Sequence, residues 1–105
     1  MPTFLLVSKH SPENCPMFNE KAMKAYAEYM KKRDRLLKKH GIKMIGWWNV
    51  HLEHLIVSVL EMPNSEAFQK FSMEPEFMGL TAFATYELKM AVTLEEVQKM
   101  LPKAK

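Results

Sequence analysis

A single cysteine, Cys15, stands among 105 residues, so there is no internal disulfide framework and the thiol suits a reducing interior. Glycine is almost as scarce, with three in the chain, and there is no glycine-rich phosphate loop, no Ser-His-Asp order and no CxxC pair. Nucleotide cofactors held through glycine turns are thereby set aside. Long apolar runs are missing too. The N-terminal one, Phe4 to Val7, falls far short of the roughly 20 residues that span a bilayer, and of the core of a signal peptide. The expectation is a cytoplasmic protein with no membrane segment. Excess charge of one sign is small. The formal charge is +3 and the pI about 9.0, with the excess gathered in the run Lys31 to Lys39 and a tail carrying Lys103 and Lys105. That balance does not amount to a nucleic-acid footprint.

What is present is a hydrophobic fraction of 48% against 26% charged residues. This fits one domain over residues 1–105, burying roughly 65% of its unfolded surface. A deep pocket in so short a chain is expected to borrow a wall from a second copy. Thr3 to Lys9 is a short apolar, partly β-branched strand ended by the turn-forming SPENCP. From Asn19 to His40 the period becomes helical, with Ala22, Met23, Tyr26, Ala27, Met30 and Leu37 on one stripe. Asn14 or Asn19 can cap this helix and Gly41 stops it. Ile42 to Val50 and His54 to Met62 read as two strands of a hairpin around HLE. Asn64 or Ser65 caps the short helix SEAFQKFSM, and EPEFMGL reads as a loop or broken turn. Ala84 to Val92 is a last strand, with Tyr86, Leu88 and Met90 alternating against Glu87 and Lys89, and Thr93 opens a capping box, TLEE, into a C-terminal helix.

The order is βαββαβ plus a helix, an α+β class. A right-handed crossover makes the first two strands parallel, and the usual closure is a four-stranded antiparallel sheet in spatial order 4-1-3-2 with helices on one face. The other face lies bare. Neither alternating set of the first strand, Phe4, Leu6, Ser8 or Thr3, Leu5, Val7, is mostly charged, so the bare face is a dimerisation surface by default. In element order, length and two-faced hydrophobic pattern, residues 3–92 resemble the dimeric α+β barrel superfamily of ferredoxin-like domains. That group includes antibiotic-biosynthesis monooxygenases, stress-responsive barrel proteins and muconolactone isomerases. The resemblance implies a homodimer in which two sheets pack face to face around a lumen, and it carries no catalytic residue across.

In this topology the first strand ends, and the third begins, at one edge of the sheet. His10, Cys15, His51, Glu53, His54 and Glu76 are expected to gather at that rim, the last delivered by the end of the second helix. Neutral imidazoles with a thiolate suit zinc, copper or iron, so His10, His51, His54 and Cys15 form a candidate set for a transition metal with one position open. The spacing of HLEH matches no zinc motif. His40, at the end of the long helix, is accounted for as a favourable cation on the helix dipole. Cys15, near the start of that helix, is either an activated thiol or a small buried apolar residue. Trp47 and Trp48 must point to opposite faces, one to the core and one to the bare face. Ten methionines spread through all elements are adaptable core filler.

Three functions compete. The first is a dimeric barrel binding an apolar or aromatic small molecule, with Phe4, Trp47 or Trp48, and Tyr86 as walls and His10 and His54 as catalytic acid and base groups. A second is a non-catalytic dimeric module of stress type, whose histidines merely finish strands. The third, RNA recognition on the sheet, is rejected because the third strand, HLIVSVLE, has no aromatic on which a base could stack.

Overall fold

The computed structural model describes residues 1–102, and the backbone but not the side chain of His51; the basic tail, with Lys103 and Lys105, lies outside the described residues. Strand β1 (Thr3–Lys9) is followed by a single 3-10 turn and by helix α1 (Glu20–Lys39). Then come β2 (Lys43–Val50), β3 (Leu55–Glu61), α2 (Ser65–Ser72), the one-turn α3 (Pro75–Met78), β4 (Thr85–Ala91) and α4 (Leu94–Met100). The strands form one sheet in the order β2-β3-β1-β4, with all neighbours antiparallel. This is the spatial order expected from the element sequence.

Local chemistry sets the helix ends. Asn19, not Asn14, caps α1, its side chain accepting from the Ala22 N–H at 3.0 Å. Gly41 takes φ +68, the left-handed conformation that closes a helix and that glycine adopts at no steric cost. Asn64 rather than Ser65 caps α2, and Thr93 caps α4. Alternation then decides the faces. In β1, Phe4, Leu6 and Ser8 are buried under the helices. Thr3, Leu5 and Val7 point the other way, with Val57 and Val59 of β3 beside them. On that bare side Ile45 is 51% and Trp48 57% exposed, and no helix among the described residues covers them.

One register shift was not legible in the sequence. Met44 pairs with Leu60 and Gly46 with Val59, so Ile45 is an extra residue, a β-bulge. The bulge lets Met44 and Trp47 share the helix side. Gly46 leaves room for the Trp48 ring, which lies across it; a Cβ at this position would require that exposed ring to shift.

The path after α2 corrects a second expectation. α2 does not climb to the rim, and Glu74 and Glu76 are held against the C-terminal half of α1 instead. Glu74 Oε1 accepts from Lys39 Nζ at 2.8 Å and lies 3.2 Å from His40 Nε2, and Glu76 Oε1 accepts from Lys32 Nζ at 3.2 Å. The climb is made by α3 and the 3-10 turn Gly79–Ala82, whose Phe77 and Leu80 are buried. So EPEFMGL, expected as a loop or broken turn, is a pair of short helical turns that send Phe77 and Leu80 into the core.

The Glu74 contacts make a pH prediction. Hydrogen bonds from Lys39, then from His40, hold its carboxyl below the ordinary 4.5. A depressed folded value contributes stability that is present above the unfolded value and lost as pH falls through the folded one. Thermal melts from about pH 6 to about pH 3 should therefore show the wild type losing more Tm than Glu74→Gln, the two converging in acid. Parallel curves would show that the ion pair contributes nothing.

Candidate functional site

The β1–β3 register brings two histidines face to face. Lys9 pairs with Leu55, and the ladder runs one step further, the His10 N–H donating to the His54 carbonyl at 3.2 Å. Residues directly opposite on antiparallel strands share a side of the sheet. His54 Nδ1 and His10 Nε2 lie 3.3 Å apart, and the rings meet edge to face with centroids at 5.1 Å. Burial, and secondly the neighbouring His54, lower the His10 pKa below its usual 6.5, which favours the neutral ring. His54 itself has φ 52, the described non-glycine residue with positive φ. Asn, Asp and His are the side chains that tolerate this region best, though glycine is easier still.

The loop before α1 brings in the thiol. The 3-10 turn Pro12–Asn14 is closed by the Cys15 N–H on the Pro12 carbonyl (3.2 Å), and the Cys15 carbonyl accepts from the N–H groups of Phe18 (2.9 Å) and Asn19 (2.8 Å). Asn19 also clips the loop, its side-chain amide donating to the Glu13 carbonyl at 3.1 Å. Cys15 is left 6% exposed, and its sulfur lies within 4.8 Å of ligating nitrogens of both His10 and His54.

These three groups edge a cavity of about 450 Å³ on the helix side of the sheet. Its walls are mostly apolar. Trp47 stacks on Tyr26 of α1 with centroids at 6.4 Å, and the Arg33 guanidinium sits 5.7 Å from the Trp47 ring. Burial, then Tyr86, raises the Tyr26 pKa, so its hydroxyl stays protonated and able to donate. Met17, Phe18 and Leu52 stand at the mouth, 74%, 80% and 90% exposed.

The residues that line the cavity all come from one chain, and its mouth is open. It is not the space between facing sheets. Phe4 lies outside it: at 3% exposure it is core, six residues from His10, which is about 20 Å along a strand. Trp48 is outside as well, on the bare face. Tyr86 pairs with Ser8 in the sheet and lines a narrow space on the other side of His10. Glu53 is in the 3-10 turn between β2 and β3, as is the backbone of His51, whose side chain lies outside the described structure. Asn49 and Tyr26 also border the cavity, although the sequence marks Tyr26 only as part of a buried helix stripe and Asn49 not as a site residue. The alternation of β2 places Asn49 with Trp47, which was the available signal.

The element order βαββαβ with a four-stranded antiparallel sheet in the order β2-β3-β1-β4 defines a ferredoxin-like α+β protein. The comparisons with solved structures agree. Muconolactone isomerase matches with TM-score 0.59 and 18% identity, over 87% of this chain and 88% of that one. A variant of SnoaB, a cofactor-independent oxygenase from Streptomyces nogalater, gives 0.54 and 13%, over 88% and 91%. A NIPSNAP domain protein from Burkholderia xenovorans gives 0.52 and 6%, over 90% and 97%. No protein-family model matches the sequence, and no curated protein matches it. At these identities the likeness is one of fold alone, a ferredoxin-like α+β fold. No described helix is long and apolar enough to cross a membrane.

Proposed function

We propose that this protein is a single-domain, homodimeric barrel that binds a largely apolar or aromatic small molecule and meets its one polar group with the His10–His54 pair. The observation that carries this reading is the pair itself, 3.3 Å apart at the edge of an apolar cavity of about 450 Å³. Cavities of this size hold small organic ligands, and a few convergent polar groups among apolar walls fix the ligand's orientation. Of two facing neutral imidazoles, one donates to the other, and a lone pair or N–H is left for a bound hydroxyl. A ligand with an ionisable O–H or C–H would place its proton within reach of an imidazole, which is the arrangement general acid–base chemistry needs. That the fold is shared with proteins named as an isomerase and an oxygenase is in keeping with such chemistry. The apolar bare face supports the dimer.

The left-handed backbone at His54 supplies a test that separates function from stability. In a Trp48→Phe background, Trp47 fluorescence should be quenched by both naphthalene and 2-naphthol. 2-Naphthol should bind roughly fivefold more tightly, the worth of one hydrogen bond of about 1 kcal/mol. His54→Gly should erase that difference while leaving Tm unchanged or higher, because glycine relieves a strained φ. If naphthalene and 2-naphthol bind equally to the wild type, or His54→Gly keeps the preference and lowers Tm, the histidines merely finish strands and the non-catalytic module is the better description.

A further inference from the structure

We propose that His10 Nε2, His54 Nδ1 and Cys15 Sγ together bind one zinc ion, with the fourth coordination position open to the cavity. The inference rests on the small-molecule reading above and names what would meet the ligand's polar group. Its basis is a comparison of spacings. Tetrahedral zinc with Zn–N bonds of 2.0–2.1 Å and a Zn–S bond of 2.3 Å requires its nitrogens about 3.3 Å apart and each nitrogen about 3.6 Å from sulfur. The two nitrogens are 3.3 Å apart. The sulfur lies within 4.8 Å of a ring nitrogen of each histidine, and bringing it to about 3.6 Å is an approach of about 1.2 Å, within the reach of a rotamer adjustment.

The setting fits the ion in three further respects. Two neutral nitrogens and one thiolate are a borderline-soft set that suits zinc, and three protein ligands with one open position is the arrangement of catalytic rather than structural sites. The ligands are held before any ion arrives. His10 and His54 are fixed by a shared ladder bond, and Cys15 by backbone hydrogen bonds on both sides. Finally, His54 retains a side chain where the left-handed backbone is easiest for glycine, and strain of that kind persists where the side chain has a role. On binding, the Cys15 S–H bond breaks, the S–Zn bond forms and the proton leaves to solvent; no electron moves.

The experiment uses the full chain after chelator treatment, titrated with Zn²⁺ and, in parallel, with Co²⁺. One ion per chain is expected. About one proton should be released for each, read calorimetrically in two buffers of different ionisation heat, and the Co²⁺ form should show a thiolate-to-metal charge-transfer band. Cys15→Ser should abolish the band and weaken Zn²⁺ binding by more than about 100-fold, beyond the 10–100-fold typical of losing a supporting contact. Should Cys15→Ser fail to fold, the wild type still gives an answer, since bound Zn²⁺ should protect Cys15 from alkylation. No uptake at micromolar Zn²⁺, or uptake with neither a thiolate band nor alkylation protection, would overturn the site. The 2-naphthol preference of metal-free protein is measured separately, so loss of zinc binding with that preference intact defeats this inference alone. Loss of the preference defeats the reading beneath it.

Discussion

Leu5→Asp is expected to turn a dimer into a folded monomer. Leu5 occupies β1, an inner strand of the sheet, opposite Val59 on β3 and Lys89 on β4, and it faces away from the helices. Its apolar neighbours on that side include Val7, Val57 and Val59, and Ile45 and Trp48 extend the patch across β2. On β4 the same face is charged, Glu87 and Lys89 pairing at 3.4 Å, which gives the patch a polar border on one side. An aspartate at position 5 costs the isolated chain little, because water reaches this face. Against a partner sheet it becomes a buried unpaired charge, costing about 3–5 kcal/mol, or roughly 10² to 10³-fold and more in Kd. Leu6→Asp, one residue along, should behave oppositely. Leu6 is 8% exposed among the helix-side core residues, so there the charge unfolds the chain rather than splitting a dimer. Sedimentation equilibrium at micromolar concentration reads both. A monomeric wild type, or a dimeric Leu5→Asp, would remove the bare face as an interface.

The meeting of His10 and His54 was legible because antiparallel register is arithmetic. Once β1 and β3 are neighbours, the residue ending one must oppose the residue starting the other, and His10 and His54 follow with no knowledge of packing. The opposite directions of Trp47 and Trp48 were legible for the same reason, a period of two along a strand. Alternation does not say which face the helices cover. Phe4 was therefore expected to wall the site and lies instead in the core, while the cavity opens on the helix side of the sheet rather than between two sheets. The bulge at Ile45 was hidden as well. An extra residue leaves the apolar pattern of KMIGWW intact, and the one hint was a glycine inside a strand.

The segment after α2 hid more, and it makes the other large prediction. PEFM is a single helical turn, too short to show a period, and with flanking Glu and Gly it reads as a loop or broken turn. Yet Phe77 is 3% exposed, with ring centroids 5.2 Å from Phe71, 5.9 Å from Tyr29 and 4.8 Å from Tyr86. It joins α1, α2 and β4 in one aromatic cluster, and Tyr86, which it contacts, pairs with Ser8 two residues before His10. A surface loop residue changed to alanine costs within about 0.5 kcal/mol, whereas removing a buried phenylalanine costs about 3–5 kcal/mol in transfer and cavity terms. Of a total stability of about 5–15 kcal/mol, that is a large part. Phe77→Ala is thus expected to lower Tm by at least about 12 °C, at roughly 4 °C or more per kcal/mol. Thr81→Ala, in the following turn and exposed, should change Tm little and serves as the control. Equal, small shifts for the two variants in thermal melts would mean that this segment is a loop after all and that the sheet holds Tyr86 without it.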